Sequence, residues 1–159
     1  MYRWLLLVGA GGAMLAATSI SFAQNASLMR KYVGEETLTA AQTDPCYKEN
    51  MGAIAAVSWR DHGNTKQDLI NTLRSHGLTE ENRPVTYSVV DEVYEFPSVQ
   101  SETYVAYRTL ICHAQLHGKP VPKSFSSVAS GVLACQKKFG GSDQLFDCVI
   151  IAVFQDVAR

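Results

Sequence analysis

Four cysteines, Cys46, Cys112, Cys135 and Cys148, constrain this 159-residue chain more than any other feature. An even set of cysteines reads as disulfides in an oxidising compartment and as metal ligands or reactive thiols in a reducing one. The amino terminus points to the first. In "MYRWLLLVGAGGAMLAATSISFAQ", Arg3 supplies positive charge and Leu5 to Ala17 is an uncharged apolar run. Ser21-Phe22-Ala23 then places small residues where a signal peptidase needs them. The competing reading is a membrane anchor, because the uncharged stretch is about twenty residues long. Its glycines, Thr18, Ser19 and Ser21 weaken it as a permanent span. Residues 1–23 are therefore read as a signal peptide cut before Gln24, which places the chain in the periplasm or outside the cell and predicts two disulfides. Four cysteines allow three pairings, and their number alone selects none.

Of the 14 basic side chains one, Arg3, leaves with the signal, against 15 acidic ones, so the mature chain is slightly acidic. Like charges run no longer than pairs such as Lys137-Lys138, Glu35-Glu36, Glu80-Glu81 and Asp91-Glu92. A nucleic-acid binder would need a basic stripe, and none is present. Binding to anionic lipid is disfavoured for the same reason, and no stable membrane insertion is expected once the signal is removed.

Residues 24–44 are polar and weakly periodic, a flexible lead-in with one helical turn near Leu28 to Val33. The folded domain is expected over 45–159. Asp44 and Pro45 suit the cap and first position of a helix reaching about His62, with Met51, Ile54, Ala55 and Trp59 as its inner face and Gly63 as its stop. Asn64 or Thr65 caps a second helix with Leu69, Ile70 and Leu73 inward and Gly77 beyond it. Val85, Val89, Val93 and Phe96 fall in helical register, with Val90 and Tyr94 adjoining, and Pro97 ends that segment. The next helix is the strongest. Tyr104, Tyr107, Ile111 and Ala114 make one stripe, and Val105, Cys112 and Leu116 make a second, which places it centrally. After the stiff "KPVPK" connector, Phe125, Val128, Val132, Cys135 and Phe139 line a helix over Ser124 to Phe139. Gly140-Gly141 turns the chain, and Ser142 caps a last helix. Its "CVIIAVF" core also suits a buried strand, but no partner strand is evident. The expectation is an all-α single bundle of about six short helices clamped by two disulfides. Cys135 and Cys148 flank the Gly140-Gly141 turn at similar distances, so a helical hairpin brings them to similar heights.

One stretch, "CHAQLHG", decides whether the chain looks like an enzyme. His113 and His117 stand i, i+4 on one helix, close enough for two metal bonds. A zinc site needs three or four ligands, and no HExxH or CxxC pattern supplies them, leaving Asp61, His62 or His76 to approach through the fold. The plainer reading is two partly exposed histidines near a helix end. Cys112 lies on an apolar strip away from His113, as a disulfide cysteine does, whereas a nucleophile needs a base in reach. Asp91, Glu92 and Glu95 form an acidic patch, read as a solvated helix face rather than a glycosidase pair. Tyr87, Tyr94, Tyr104 and Tyr107 read as core more than as a stacking platform. There is no GxSxG elbow, Gly-rich phosphate loop or EF-hand loop.

At "SWRDHGNTKQDLINTL" and "VVDEVYEFPSV" the sequence resembles small exported proteobacterial proteins of unknown function. These have a cysteine-led helix, an Arg-Asp-x-Gly turn, a second helix, a Val-Tyr-x-x-Pro element and a helix closing on a cysteine. The matching residues are Cys46, Arg60, Asp61, Gly63, Val93, Tyr94, Pro97 and Cys112. The resemblance covers about 46–112 and brings no catalytic residue. It implies a Cys46–Cys112 bridge fastening the first helix to the central one, which leaves Cys135 for Cys148. Together these readings predict an exported, non-enzymatic module that binds another protein and needs no cofactor. The alternatives are an inhibitor or immunity protein against a secreted enzyme, and a metal-dependent protein using His113 and His117.

Overall fold

The computed structural model describes Ser27, Arg30, Lys31 and residues 46–76 and 83–155. The signal and its cleavage site, most of the lead-in, the Asp44-Pro45 cap and the Gly77 stop lie outside the described residues. Within them the chain is all-α. The helices are α1 (Tyr47–Asp61), α2 (Lys66–Ser75), α3 (Arg83–Glu95), α4 (Ser101–Leu116), α5 (Ala129–Phe139) and α6 (Gln144–Phe154), with a 3-10 turn at Phe125–Ser127 before α5. Ser27, Arg30 and Lys31 are also helical, where a single turn is expected. Arg30 ties that turn to α6: its Nε donates to Asp147 Oδ1 at 2.7 Å and its guanidinium lies 5.5 Å from the centre of the Phe146 ring.

α4 is the central helix, with α1, α5 and α6 packed on it. Its expected stripe of Tyr104, Tyr107, Ile111 and Ala114 is buried. The second strip is only partly so, because Leu116 is 56% exposed at the helix end. α1 runs antiparallel to α4. Cys46 bonds to Cys112 with a Cα separation of 5.9 Å, Glu49 pairs with Arg108, and Arg60 Nη2 reaches Val99 O at 2.7 Å. Numbers thus rise along one helix as they fall along the other.

That register corrects the expected inner face of α1. The residues turned inward are Cys46, Glu49, Ala53, Ala56 and Arg60, spaced alternately by three and four, with Val57 beside them. Met51 is 44% and Ile54 38% exposed, Ala55 is also outside, and of the expected four only Trp59 packs on the core. The bridge to Cys112 fixes how α1 is rotated about its axis. Small Ala53 and Ala56 then suit a close approach to the large tyrosines of α4.

α5 and α6 form the second hairpin, bridged by Cys135–Cys148 with a Cα separation of 5.6 Å. Gly131 faces Ala152 across it, and a Cβ on Gly131 would sit 3.2 Å from the Ala152 Cβ. Close helix packing therefore favours glycine there, since a methyl group would push Ala152 back by a few tenths of an ångström. The "CVIIAVF" segment is helical, with Val149, Ile150, Val153 and Phe154 buried. Two local expectations change. α5 starts at Ala129 rather than Ser124, because Ser124 is extended and the Phe125 amide donates to Glu92 Oε1 at 3.2 Å, drawing that turn onto α3. Ser142 does not cap α6: its Oγ donates back to Phe139 O at 2.7 Å, and Asp143 occupies the cap position without a side-chain bond.

The first hairpin closes as its sequence suggests. Thr65 rather than Asn64 caps α2, in a reciprocal box with Asp68. Gly63 and Gly118 follow α1 and α4 with φ of +80° and +63°, a conformation that favours glycine. Three helices end on a histidine: His62, His76 and His117 are the C-cap residues of α1, α2 and α4. His62 Nδ1 lies 2.7 Å from Ser58 O and His76 Nδ1 lies 2.8 Å from Thr72 O. A ring protonated at Nδ1 adds a second donor to carbonyls that already accept the histidine's own backbone N–H, at 3.1 Å in each case.

Candidate functional site

The structure separates the two histidines of "CHAQLHG". His113 is 0% exposed inside the core, whereas His117 is an exposed cap residue. Two partly exposed histidines were expected, and burial of the central helix on several sides overturns that for His113. Among the described residues no three His, Cys, Asp or Glu side chains gather in a group able to hold a metal ion. Cys112 is bonded to Cys46, and no described cysteine is free.

The expected acidic face also divides. Asp91 and Glu95 are exposed, Asp91 pairing with Lys66 Nζ at 2.7 Å. Glu92 turns inward, its side chain only 13% exposed. It accepts from the Tyr104 hydroxyl at 2.6 Å, from the Phe125 amide at 3.2 Å and from Arg108 Nη1 at 3.4 Å. Arg108 Nη2 holds Glu49 of α1. One guanidinium, 8% exposed, thus bridges carboxylates from two helices. Its Nε is buried without an acceptor among the described residues. Burial, then the neighbouring Glu92 charge, pushes the Tyr104 hydroxyl well above its ordinary value, and Tyr107 moves the same way for the same leading reasons. Both phenols stay protonated through the physiological range. Tyr104 and Tyr107 also stack edge-on against Phe125, with ring centres 5.5 and 4.8 Å away. These are core tyrosines, as expected. Tyr87 instead accepts from Arg74 Nε at 3.1 Å near the surface.

Arg60 makes the second polar knot. Nη1 donates to Val93 O at 3.1 Å and Phe96 O at 3.3 Å, Nη2 donates to Val99 O at 2.7 Å, and Asp61 Oδ1 accepts from Nε at 2.9 Å. The end of α3 and the Pro97 turn are thereby tied to the end of α1. Tyr94 adds a bond from its hydroxyl to Asn64 O at 2.8 Å. The Arg-Asp-x-Gly and Val-Tyr-x-x-Pro residues therefore meet in one place, and their work there is architectural. Neither Arg60 nor Arg108 stood out in the sequence as a contact residue. The signal that finds Arg60 is the spacing of three and four from Cys46, which puts Glu49 and Arg60 on the face turned to α4.

One surface feature is mostly apolar. Between α1, α2 and α3 lies a cleft of about 120 Å³ lined by Gly52, Ala55, Leu69, Leu73, Val89 and Val90. Lys48 and Glu49, neighbours in sequence, also line it. Met51 and Ile54, exposed on the same helix, stand next in sequence to Gly52 and Ala55. The sequence placed Leu69 and Leu73 inward correctly, but the misassigned face of α1 hid the cleft they help to form. No protein-family model matches the chain, and neither does any curated protein or solved structure. No described helix is long and apolar enough to cross a membrane.

Proposed function

We propose that the chain is exported to the periplasm or beyond and works there as a non-enzymatic module that binds another protein. The observation that carries this reading is the outer face of α1, where Met51 and Ile54 stand exposed one turn apart beside an apolar cleft. Apolar surface of this kind marks contact sites when it is contiguous, and large side chains beside a pocket are what binding anchors need. Two further features support it. The two disulfides suit an oxidising compartment, and Cys46–Cys112 pins the start of α1 to α4, which lowers the ordering cost of association. Glu92, the acidic-patch residue that turns inward, is engaged by Tyr104 and Arg108.

The test is capture of a partner from native envelope extract on the purified, oxidised protein. Wild type is expected to carry Gln24 at its amino terminus and to retain a discrete protein. The Met51→Asp/Ile54→Asp variant is expected to lose that protein at unchanged circular dichroism and Tm. Equal retention by both forms would refute the assignment. Should the retained protein be a secreted enzyme whose turnover falls on binding, the module is an inhibitor or immunity protein.

A further inference from the structure

Gly52 is out of place. A glycine inside a helix weakens it relative to alanine, and an interior glycine normally answers a packing demand. Gly131 has one, since a methyl group there would crowd the Ala152 Cβ at 3.2 Å. Gly52 has none among the described residues: a Cβ there would meet nothing of theirs within 4 Å. The space above it is the cleft between α1, α2 and α3.

From this we infer that the Gly52 cleft is an anchor pocket for one apolar side chain of a partner protein whose neighbouring acidic residue sits on Lys48. The inference rests on the binding reading above and deepens it. Size sets the occupant first. A dry apolar cavity of about 150 Å³ holds one benzene, and this cleft has about 120 Å³. It therefore takes a leucine- or phenylalanine-sized group, well short of the several hundred Å³ that drug-sized ligands fill. The rim decides between a small molecule and a protein. Met51 and Ile54 extend the apolar surface beyond the cleft, giving area that only a large partner covers. Charge sets the neighbour. The Glu49 carboxylate is held by Arg108, whereas Lys48, which also lines the cleft, is exposed. The charge left to meet a partner is positive.

Two measurements on the disulfide-intact chain test this. In the first, the amide signals of Gly52, Ala55 and Leu69 are followed by NMR as N-acetyl-Leu-Asp-amide, N-acetyl-Leu-Lys-amide or pentanoate is added at millimolar concentration. Saturable shifts are expected with both dipeptides, about threefold tighter for the acidic one, as for a single exposed charge pair. Gly52→Leu, which fills the cleft from within, should abolish them without lowering Tm. Gly52→Ala serves as the milder filling variant if leucine prevents folding. Equal binding of the two dipeptides, tighter binding of pentanoate, or no shift at all overturns the pocket. In the second, the partner retained from envelope extract should fall about tenfold or more with Gly52→Leu and with Lys48→Glu, as for loss of a binding anchor, but not with Leu116→Asp. Equal retention by all variants overturns the pocket while the binding module stands. Retention of nothing by wild type overturns both.

Discussion

Replacing Arg108 with methionine tests the polar bridge at the centre of the bundle. The side chain links Glu49 of α1 to Glu92 of α3 and is 8% exposed. Removing one partner of a buried ion pair costs about 3–5 kcal/mol, because a charge is left without compensation. Two corrections lower that figure here. The carboxylates keep 17% and 13% of their side-chain exposure, and Glu92 keeps the Tyr104 hydroxyl and the Phe125 amide. Methionine also removes an Nε that has no acceptor among the described residues, a group of the kind that costs about 1–3 kcal/mol when buried. The expected net loss is about 2–3 kcal/mol, read as a lower urea midpoint at constant m. A triple variant with Glu49→Gln and Glu92→Gln added should recover most of it, since no net charge then remains in the cluster. A loss below about 0.5 kcal/mol for Arg108→Met would class the bridge with solvated surface pairs and refute the account of α1 and α4 as coupled through it. A triple variant no better than the single one would refute the charge argument separately.

Other perturbations follow from the same geometry. In the chain-entropy model, loss of the 13-residue Cys135–Cys148 loop should cost roughly 3 kcal/mol and loss of the 66-residue Cys46–Cys112 loop roughly 4.4 kcal/mol, so paired Cys→Ala variants should unfold at different urea midpoints in that order. His113→Ala empties a fully buried site and should cost about 2–4 kcal/mol, whereas His117→Ala should stay within about 1 kcal/mol; equal effects would refute the placement of His113. Tyr104 has its hydroxyl held protonated above the unfolded value of 10.0. Its contribution is therefore complete below about pH 10 and is lost as pH rises, because the unfolded chain ionises first. Urea titrations from pH 8 to 11 should show stability falling over the upper part of that range, with a shallower fall in Tyr104→Phe. Arg60→Lys keeps the charge but loses the fork that serves three carbonyls, and a drop of about 1–3 kcal/mol is expected on thermal melting.

Much of this architecture is written locally, and that part is legible. Helix periodicity, the stops at Gly63 and Gly118 and the turn at Gly140-Gly141 depend on residues a few positions apart, so pattern alone places five of the six helices closely. The tyrosine stripe of α4 is legible because a wide apolar face admits one orientation. α1 is different. Its helical signal is strong, but several rotations bury comparable apolar area, and choosing the largest side chains selects Met51 and Ile54. The rotation adopted is set by a cystine 66 positions apart in sequence and an ion pair 59 apart. Glu92 illustrates the same limit: as one acid among three on a helix it reads as solvated, and only the approach of Tyr104, Arg108 and Phe125 makes it interior. The cleft depends on three helices at once and on the absence of a side chain at Gly52, so no local pattern announces it.

The inversion of α1 is what connects fold to function. Burying a methionine or isoleucine typically stabilises a protein by about 1.5–3 kcal/mol, yet this helix turns alanines, a glutamate and an arginine inward and leaves Met51 and Ile54 outside. Inward, the polar residues recover their desolvation cost through Arg108 and the carbonyls around Pro97. Outward, nothing among the described residues recovers the exposed apolar area. A glycine that weakens the same helix opens a cleft beside that area. Departures from the rules of stable folding tend to concentrate where function competes with stability. Here three departures fall within one turn of one helix, held in place by a disulfide at its start. That coincidence, more than any single contact, is the reason the outer face of α1 is the surface we propose for a partner.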